Sequence, residues 1–347
     1  MPFHDKIVFS HFHDEEYERK ASFFSLKNPN KKVKVCTKGS VSITKLRKDD
    51  GVPVKSYQSL VHYIAELGHQ NHGLNLFFRG QSCDFKDSKN QTKLYPGIFR
   101  PPENKKVLSR REITKRFLKL NGFIQYLHES PPSLNAPLSR HPEYWFSLLQ
   151  HYEVLKTPLL DVTQSLRVAV SFALLDDKFK YTRQEGFVFV LALPYSNGSI
   201  SKYADDNFVL ARLSNICPPN ALRPHFQEGY LAGRWPTSHK KTEYDNLAYH
   251  LVGKYRLQNQ NGDFFNKDFM PLPYEALFPQ LDAFRDYLNL MKIKFKDATD
   301  KLKEINRDDR WEHKATTSTI PGSVGNVRST GNRGVLKESH GKTRHSN

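Results

Sequence analysis

Apolar residues recur along this chain in two periods. Tyr57, Leu60, Val61, Ile64 and Leu67 are spaced three or four apart, behind Ser56 as a cap and ahead of Gly68, and predict a helix. Ile113, Phe117, Leu120, Ile124 and Leu127 predict a second over about 111–127, although Gly122 weakens it. A third covers about 142–152, and a mostly apolar fourth runs over 165–175. Leu76, Phe77 and Phe78 form a continuous apolar run that reads as a buried strand entering Arg79, Gly80 and Gln81. The run from Gly186 to Leu193 is the strongest strand, because almost every residue is apolar and both faces must then be covered. Leu277, Leu281, Phe284, Leu288, Met291, Phe295, Ala298, Leu302 and Ile305 outline one long amphipathic helix, broken at most near Pro279. Pro and Gly between Lys93 and Pro102 predict an irregular loop carrying Arg100. The first fifty residues mix short apolar pieces with charge runs, an extended or strand-bearing lead-in, and no internal repeat is present.

Two blocks break this logic by placing polar groups where hydrocarbon belongs. They are LFFRGQ at 76–81 and LLQHYEVLKTPLLDVTQSLRVAVSFAL at 148–174. A guanidinium at the end of a buried strand needs an anion or a carbonyl cluster as its partner. Arg79 therefore either serves a ligand or closes an ion pair with Asp161. Asp161 follows two leucines and precedes a helix, so it either belongs to the same site or only caps that helix. His151, at an apolar helix end, reads as a hydrogen-bonded structural histidine or as a base.

Together the blocks resemble the FRG domain family, named for its Phe-Arg-Gly motif. The residues that carry the resemblance are Phe78-Arg79-Gly80-Gln81, Leu94-Tyr95-Pro96 with Phe99-Arg100, Gln150-His151-Tyr152, Leu159 to Thr163, Ala169 to Ala173, and Asn220 to Tyr230. They span about Tyr57 to Trp235, in the family's order. Pro158, Val162 and Glu153 stand where the family commonly has Arg, Trp and Gly.

The FRG family looks distantly related to the ADP-ribosyltransferase fold, which binds NAD between two small sheets. The resemblance thus implies an α+β fold with split, largely antiparallel sheets and flanking helices, here with a long C-terminal helix. It also implies NAD as substrate and an effector, a toxin or a phage-defence protein, and leaves open whether a neutralising partner exists. Arg79 would fork onto phosphate or ribose oxygens. Thr163 and Ser165, two apart on an extended segment, would orient the ribose and Arg79. Gln227, or Glu228 on the opposite face, would accept from a ribose hydroxyl and steady the developing oxocarbenium charge, and Gln227 holds the family position two before Gly229. Arg100 is a second phosphate contact or a surface residue, Tyr152 a nicotinamide stacker or core. Gln81 and Tyr230 complete the expected substrate contacts. A non-catalytic module that reads a nucleotide or RNA is the competing expectation.

Charge and cysteine usage narrow the setting. Lys and Arg exceed Asp and Glu by 17 among 347 residues, which favours polyanions and makes RNA or DNA an acceptor as credible as a protein. Cys36, Cys83 and Cys217 lie apart with no paired spacing, as in a reducing cytoplasm. No segment approaches the ~20 apolar residues of a membrane span, and the N-terminus, with acids close behind Phe9, does not read as a signal peptide. His11 and His13 beside Asp14 and Glu15 lack further ligands for a metal. Gly341-Lys342-Thr343 lacks the upstream Gly and strand of a phosphate loop, and no GxSxG or HExxH is present. The expected organisation is an N-terminal extension over 1–55, the FRG domain over 56–271, the amphipathic helix over 272–312 and a disordered basic tail over 313–347.

Overall fold

The computed structural model describes residues 32–35 and 39–315, apart from 106, 130–135, 177, 179, 219–220, 261, 268 and 281. His11, His13, Cys36, residues 316–347 and most of the expected N-terminal extension and basic tail lie outside the described residues. In chain order the elements are β1 (Lys32–Val35), β2 (Gly39–Ser42), α1 (Ile43–Lys48), β3 (Val52–Val54), α2 (Tyr57–Gln70), β4 (Asn75–Gln81), α3 (Arg110–Glu129), α4 (Ala136–Ser139), α5 (Pro142–His151), β5 (Leu159–Thr163), α6 (Leu166–Leu174) and β6 (Glu185–Leu193). Then follow β7 (Ile200–Tyr203), β8 (Phe208–Arg212), α7 (Leu213–Ile216), α8 (Leu222–Gln227), β9 (Gly229–Arg234), β10 (Leu251–Gln258), α9 (Tyr274–Leu277) and α10 (Ala283–Ala315).

Side-chain caps mark the starts of α2 and α10. Ser56 Oγ accepts from Ser59 N at 3.2 Å and starts α2, which continues through Gly68 to Gln70. α3 runs unbroken across Gly122, where a Cβ would stand 3.6 Å from the Phe295 ring and the small residue lets α10 approach. The expected C-terminal helix divides in two: Asp282 Oδ1 accepts from Phe284 N and Arg285 N, both at 3.2 Å, so α10 starts afresh after Pro279. The chain separates into a unit ending at Lys296 and a second from Asp297, which holds the distal part of α10.

A two-stranded hairpin, β1 with β2, stands apart from an eight-stranded sheet of order β3-β10-β6-β4-β5-β9-β8-β7. Every neighbouring pair is antiparallel except β3 with β10, which is parallel. The α+β class expected from sequence is present; the two split sheets are instead one continuous sheet. Its continuity is thin at the centre. β4 pairs with β6 along its whole length, but with β5 only at Phe78↔Thr163. Beyond that pair the strands diverge, and the Arg79 side chain fills the gap, Nη1 donating to Asp161 O at 2.5 Å. This seam leaves four strands on each side.

One face of the sheet carries a single apolar layer across the seam, with Phe77, Phe189 and Leu191 on one side and Val162, Leu210 and Tyr230 on the other. The opposite face carries two separate cores. Phe78, Val188 and Val190 pack under α2 and α6, whereas Leu159, Val209 and Leu231 pack under α3, α5 and the start of α10. The gap between these cores lies over the seam. β6 is buried from Gly186 to Leu193, as its unbroken apolar run requires.

Two glycines let α6 lie directly on the strands. A Cβ at Gly80 would meet Ala169 O at 1.7 Å, and one at Gly186 would meet Ala173 O at 2.5 Å. β10 escaped the sequence reading because Lys254 interrupts its apolar run. That lysine is 1% exposed and pairs with Asp84 at 2.9 Å, so its charge is answered inside the fold.

His250 sits at the other extreme. Its ring is 3% exposed, packs edge-on against Phe208 at 5.2 Å, and has a buried Nδ1 with no partner. Burial lowers its pKa from 6.5 to about 4. The unfolded chain therefore takes up a proton that the folded chain refuses as pH falls from 6.5 towards 4. Stability is fully present above the unfolded value and falls by about 3 kcal/mol across that window, at ~1.4 kcal/mol per unit. Urea titrations across the window should show this slope in wild type and a shallower one in His250→Phe.

Candidate functional site

The gap over the seam is a cavity of about 290 Å³. β4 contributes Phe78, Arg79 and Gly80, β5 contributes Asp161, Val162 and Thr163, and the start of β9 contributes Gly229 and Tyr230. Gln150 and His151 enter from the end of α5, Arg223 and Gln227 from α8, and Arg100 from the loop after a 3-10 turn at 97–99. A second hollow of about 300 Å³, lined by Gly97, Leu155 and Lys156, shares Arg100, Gln150 and Glu153 with the first.

Three arginines meet two carboxylates here, Asp161 and Glu153. The Nε atoms of Arg79, Arg100 and Arg223 are all buried without a hydrogen-bond partner. Burial, then the neighbouring Arg100, lowers the Arg79 pKa to about 10, with Asp161 opposing the shift. Burial also lowers Arg100, again against Asp161. Arg223 is partly answered, Nη2 donating to Glu153 Oε1 at 2.9 Å while its guanidinium lies 4.7 Å from the Phe278 ring centre.

Asp161 keeps 40% of its side-chain surface open, towards the cavity. Its Oδ2 accepts from Gln150 Nε2 at 3.0 Å, and Gln150 Oε1 in turn accepts from Thr157 Oγ1 at 3.2 Å. Burial raises the carboxyl, but His151, Arg79 and Gln150 overcome it and hold the pKa at about 2. The Arg79 contact runs through the Asp161 carbonyl, so the carboxylate itself remains available. His151 is 2% exposed, with Nδ1 3.7 Å from Asp161 Oδ1 and Nε2 buried without a partner. Burial lowers its pKa, so the ring is neutral at pH 7.

Of the residues expected from sequence, Arg79, Arg100, His151, Asp161, Thr163, Gln227 and Tyr230 line the cavity, whereas Gln81, Tyr152, Ser165 and Glu228 do not. Tyr152 is core: its hydroxyl donates to Asp282 Oδ2 at 2.9 Å, beneath the start of α10. The segment 163–165 is not extended throughout. β5 ends at Thr163, and Ser165 is the N-cap of α6, its amide donating to Thr163 Oγ1 at 3.0 Å. Nor is 222–228 extended, since Leu222–Gln227 is helical and Glu228 is left-handed at φ 45°. Thr163 Oγ1 lies 2.8 Å from Gln227 O and 3.1 Å from Glu228 O, which latches that turn to β5. Gln227 Nε2 donates to Leu277 O at 2.6 Å. Tyr230 donates its hydroxyl to Gln164 Oε1 at 2.9 Å. Gln81 closes β4 with its Oε1 buried and unpartnered.

The reading from sequence missed Arg223, Glu153 and the role of Gln150. Gln150 belongs to the Gln-His-Tyr block and was legible as a polar residue on an apolar helix. Arg223 gave no local signal, because only the packing of α8 brings it to the cavity. Glu153 holds φ 55°, a left-handed conformation that glycine adopts freely and other residues adopt at a cost of about 1 kcal/mol.

These residues cluster in the segments that carry the family's motifs, and the profile comparison agrees. Residues 74–181 match the FRG domain. No curated protein and no solved structure matches the chain significantly. The FRG match contains β4, α5, β5 and α6, and hence Arg79, Arg100, Gln150, His151, Asp161 and Thr163. β9 and α8, which close the cavity with Tyr230, Arg223 and Gln227, follow the FRG segment in sequence. Among the described residues no helix is long and apolar enough to cross a membrane, and no group of three or more His, Cys, Asp or Glu is placed to hold a metal ion.

Proposed function

We propose that the seam cavity binds NAD and that the protein is an ADP-ribosyltransferase or NAD hydrolase acting as an effector. The observation that carries this reading is the convergence of three guanidiniums with unpartnered buried Nε donors on a cavity with two carboxylates, Asp161 and Glu153, of which Glu153 is already paired with Arg223. Buried donors of this kind call for an anion, and Arg forks suit phosphate oxygens. The two hollows share Arg100, so a pyrophosphate at that residue would put a nucleoside in each. Each hollow sits near the lower end of the ~300–1,000 Å³ range of ligand sites, so a dinucleotide would need both.

When the bond between nicotinamide and ribose breaks, positive charge builds on the ribose. Asp161, held ionised, supplies the opposite charge, while Arg79 and Arg100 hold the phosphates. The expected acceptor is nucleic acid, drawn by the chain's excess of positive charge, or a protein. A second reading, a nucleotide-binding module without turnover, draws on Thr163 and Gln227, whose hydroxyl and amide are already committed to backbone carbonyls.

Calorimetry with NAD and chromatography of the products test both readings on the full chain. The transferase or hydrolase reading expects micromolar binding and release of nicotinamide. Binding with NAD recovered intact favours the module, and absence of binding rejects both.

A further inference from the structure

We propose that His151 is the general base of the reaction, its Nε2 taking the proton from the hydroxyl or water that attacks the ribose, with Asp161 as the positioning residue behind it. This deepens the NAD reading above and rests on it. The geometry that points to it is a ring anchored on one side and open in its hydrogen bonding on the other. Nδ1 faces Asp161 Oδ1 at 3.7 Å, a separation that a small side-chain rotation closes into a hydrogen bond, whereas Nε2 is buried in the cavity wall with no partner in the protein.

The charges around the ring suit this role. Asp161 on β5 and Glu153 after α5 favour the imidazolium, while Arg223 on α8 disfavours it. Arg79 on β4 and Arg100 on the loop face Asp161 and keep it ionised or attract its charge. Burial outweighs the acids, so the ring waits neutral and able to accept. Once protonated it stands against an ionised carboxylate, itself fixed by Gln150.

The step balances. The acceptor oxygen forms a bond to C1′ of the nicotinamide-bearing ribose as the bond from C1′ to the ring nitrogen breaks. Its electron pair leaves with nicotinamide, which departs neutral, and the acceptor proton passes to His151 Nε2 and then to solvent. No further reactant is needed.

Nicotinamide release from NAD by the full chain, measured from about pH 8 down to the lowest pH at which the protein stays folded, decides the matter. In wild type kcat should fall on the acid side as His151 protonates. His151→Gln should lower kcat about 100-fold, within the range for loss of a general base, with KM for NAD within about twofold and the acid limb abolished. Added imidazole should restore part of the activity of His151→Ala, which a merely structural role would not allow. A His151→Gln protein with wild-type kcat and acid limb overturns the assignment and leaves the NAD reading standing. Wild-type protein that binds NAD without releasing nicotinamide overturns the assignment together with the transferase or hydrolase reading, and favours the nucleotide-binding module. If neither variant folds, the wild-type profile still decides: a kcat that stays flat down to the pH at which the fold is lost overturns the assignment.

Discussion

Gly80→Ala should prevent the protein from reaching its native fold, or cost about 3 kcal/mol or more where it does. The added methyl would sit 1.7 Å from Ala169 O and 2.7 Å from Ala169 C. Both are backbone atoms of α6, so no rotamer change relieves the clash, and the helix must lift off the sheet. α6 carries Ala169, Val170, Ala173 and Leu174 into the core beneath α2, and lifting it opens that core. Circular dichroism melts of the purified variant check the expectation. A melting temperature within a few degrees of wild type would mean that the helix does not rest on the strand as described. The glycine of the Phe-Arg-Gly motif is thus explained by packing, and the arginine beside it by the site.

On the proposed NAD reading, Arg79→Ala carries the second large effect, an affinity for NAD about 100-fold weaker. A guanidinium forked onto phosphate oxygens makes charge-assisted hydrogen bonds worth about 1.5–3 kcal/mol each, and its loss also strips partners from the protein. Two groups are left behind here. Asp161 O loses its donor across the seam, and the Asp161 carboxyl loses one of the charges that hold its pKa at about 2. The carboxyl should therefore titrate at higher pH in the variant, visible by carbon-detected NMR. Arg79→Lys keeps the charge without the fork and should recover only part of the loss. Arg111→Ala, an exposed change of equal charge on α3, is the control and should bind as wild type does.

How much of this was legible in the sequence follows from the reach of each signal. The helices over 57–70, 110–129, 142–151 and 166–174 and the strands β4 and β6 announce themselves through local periodicity, because one buried face or two buried faces dictate the pattern. β7, β8 and β9 are short, and β10 contains a buried lysine whose partner is 170 residues away, so neither length nor alternation marks them. At the site, Arg79, Arg100, His151 and Asp161 stood out as polar residues in apolar company. Tyr152 and Ser165 stood out equally, yet one hydroxyl serves Asp282 and the other residue caps a helix. Residue type and spacing name candidates, and only the long-range packing of α8 and α10 sorts them. The same limit hid Arg223.

The lone register pair between β4 and β5 has a mechanical meaning. Two four-stranded halves share one apolar layer on one face but separate cores on the other, and the joint between them has fewer paired residues than any other in the sheet. An anion seated between the arginines of one half and the helices of the other would act as a rivet. Backbone amides flanking Phe78 and Thr163 should then exchange with deuterium readily in the free protein and slow markedly when the site is filled.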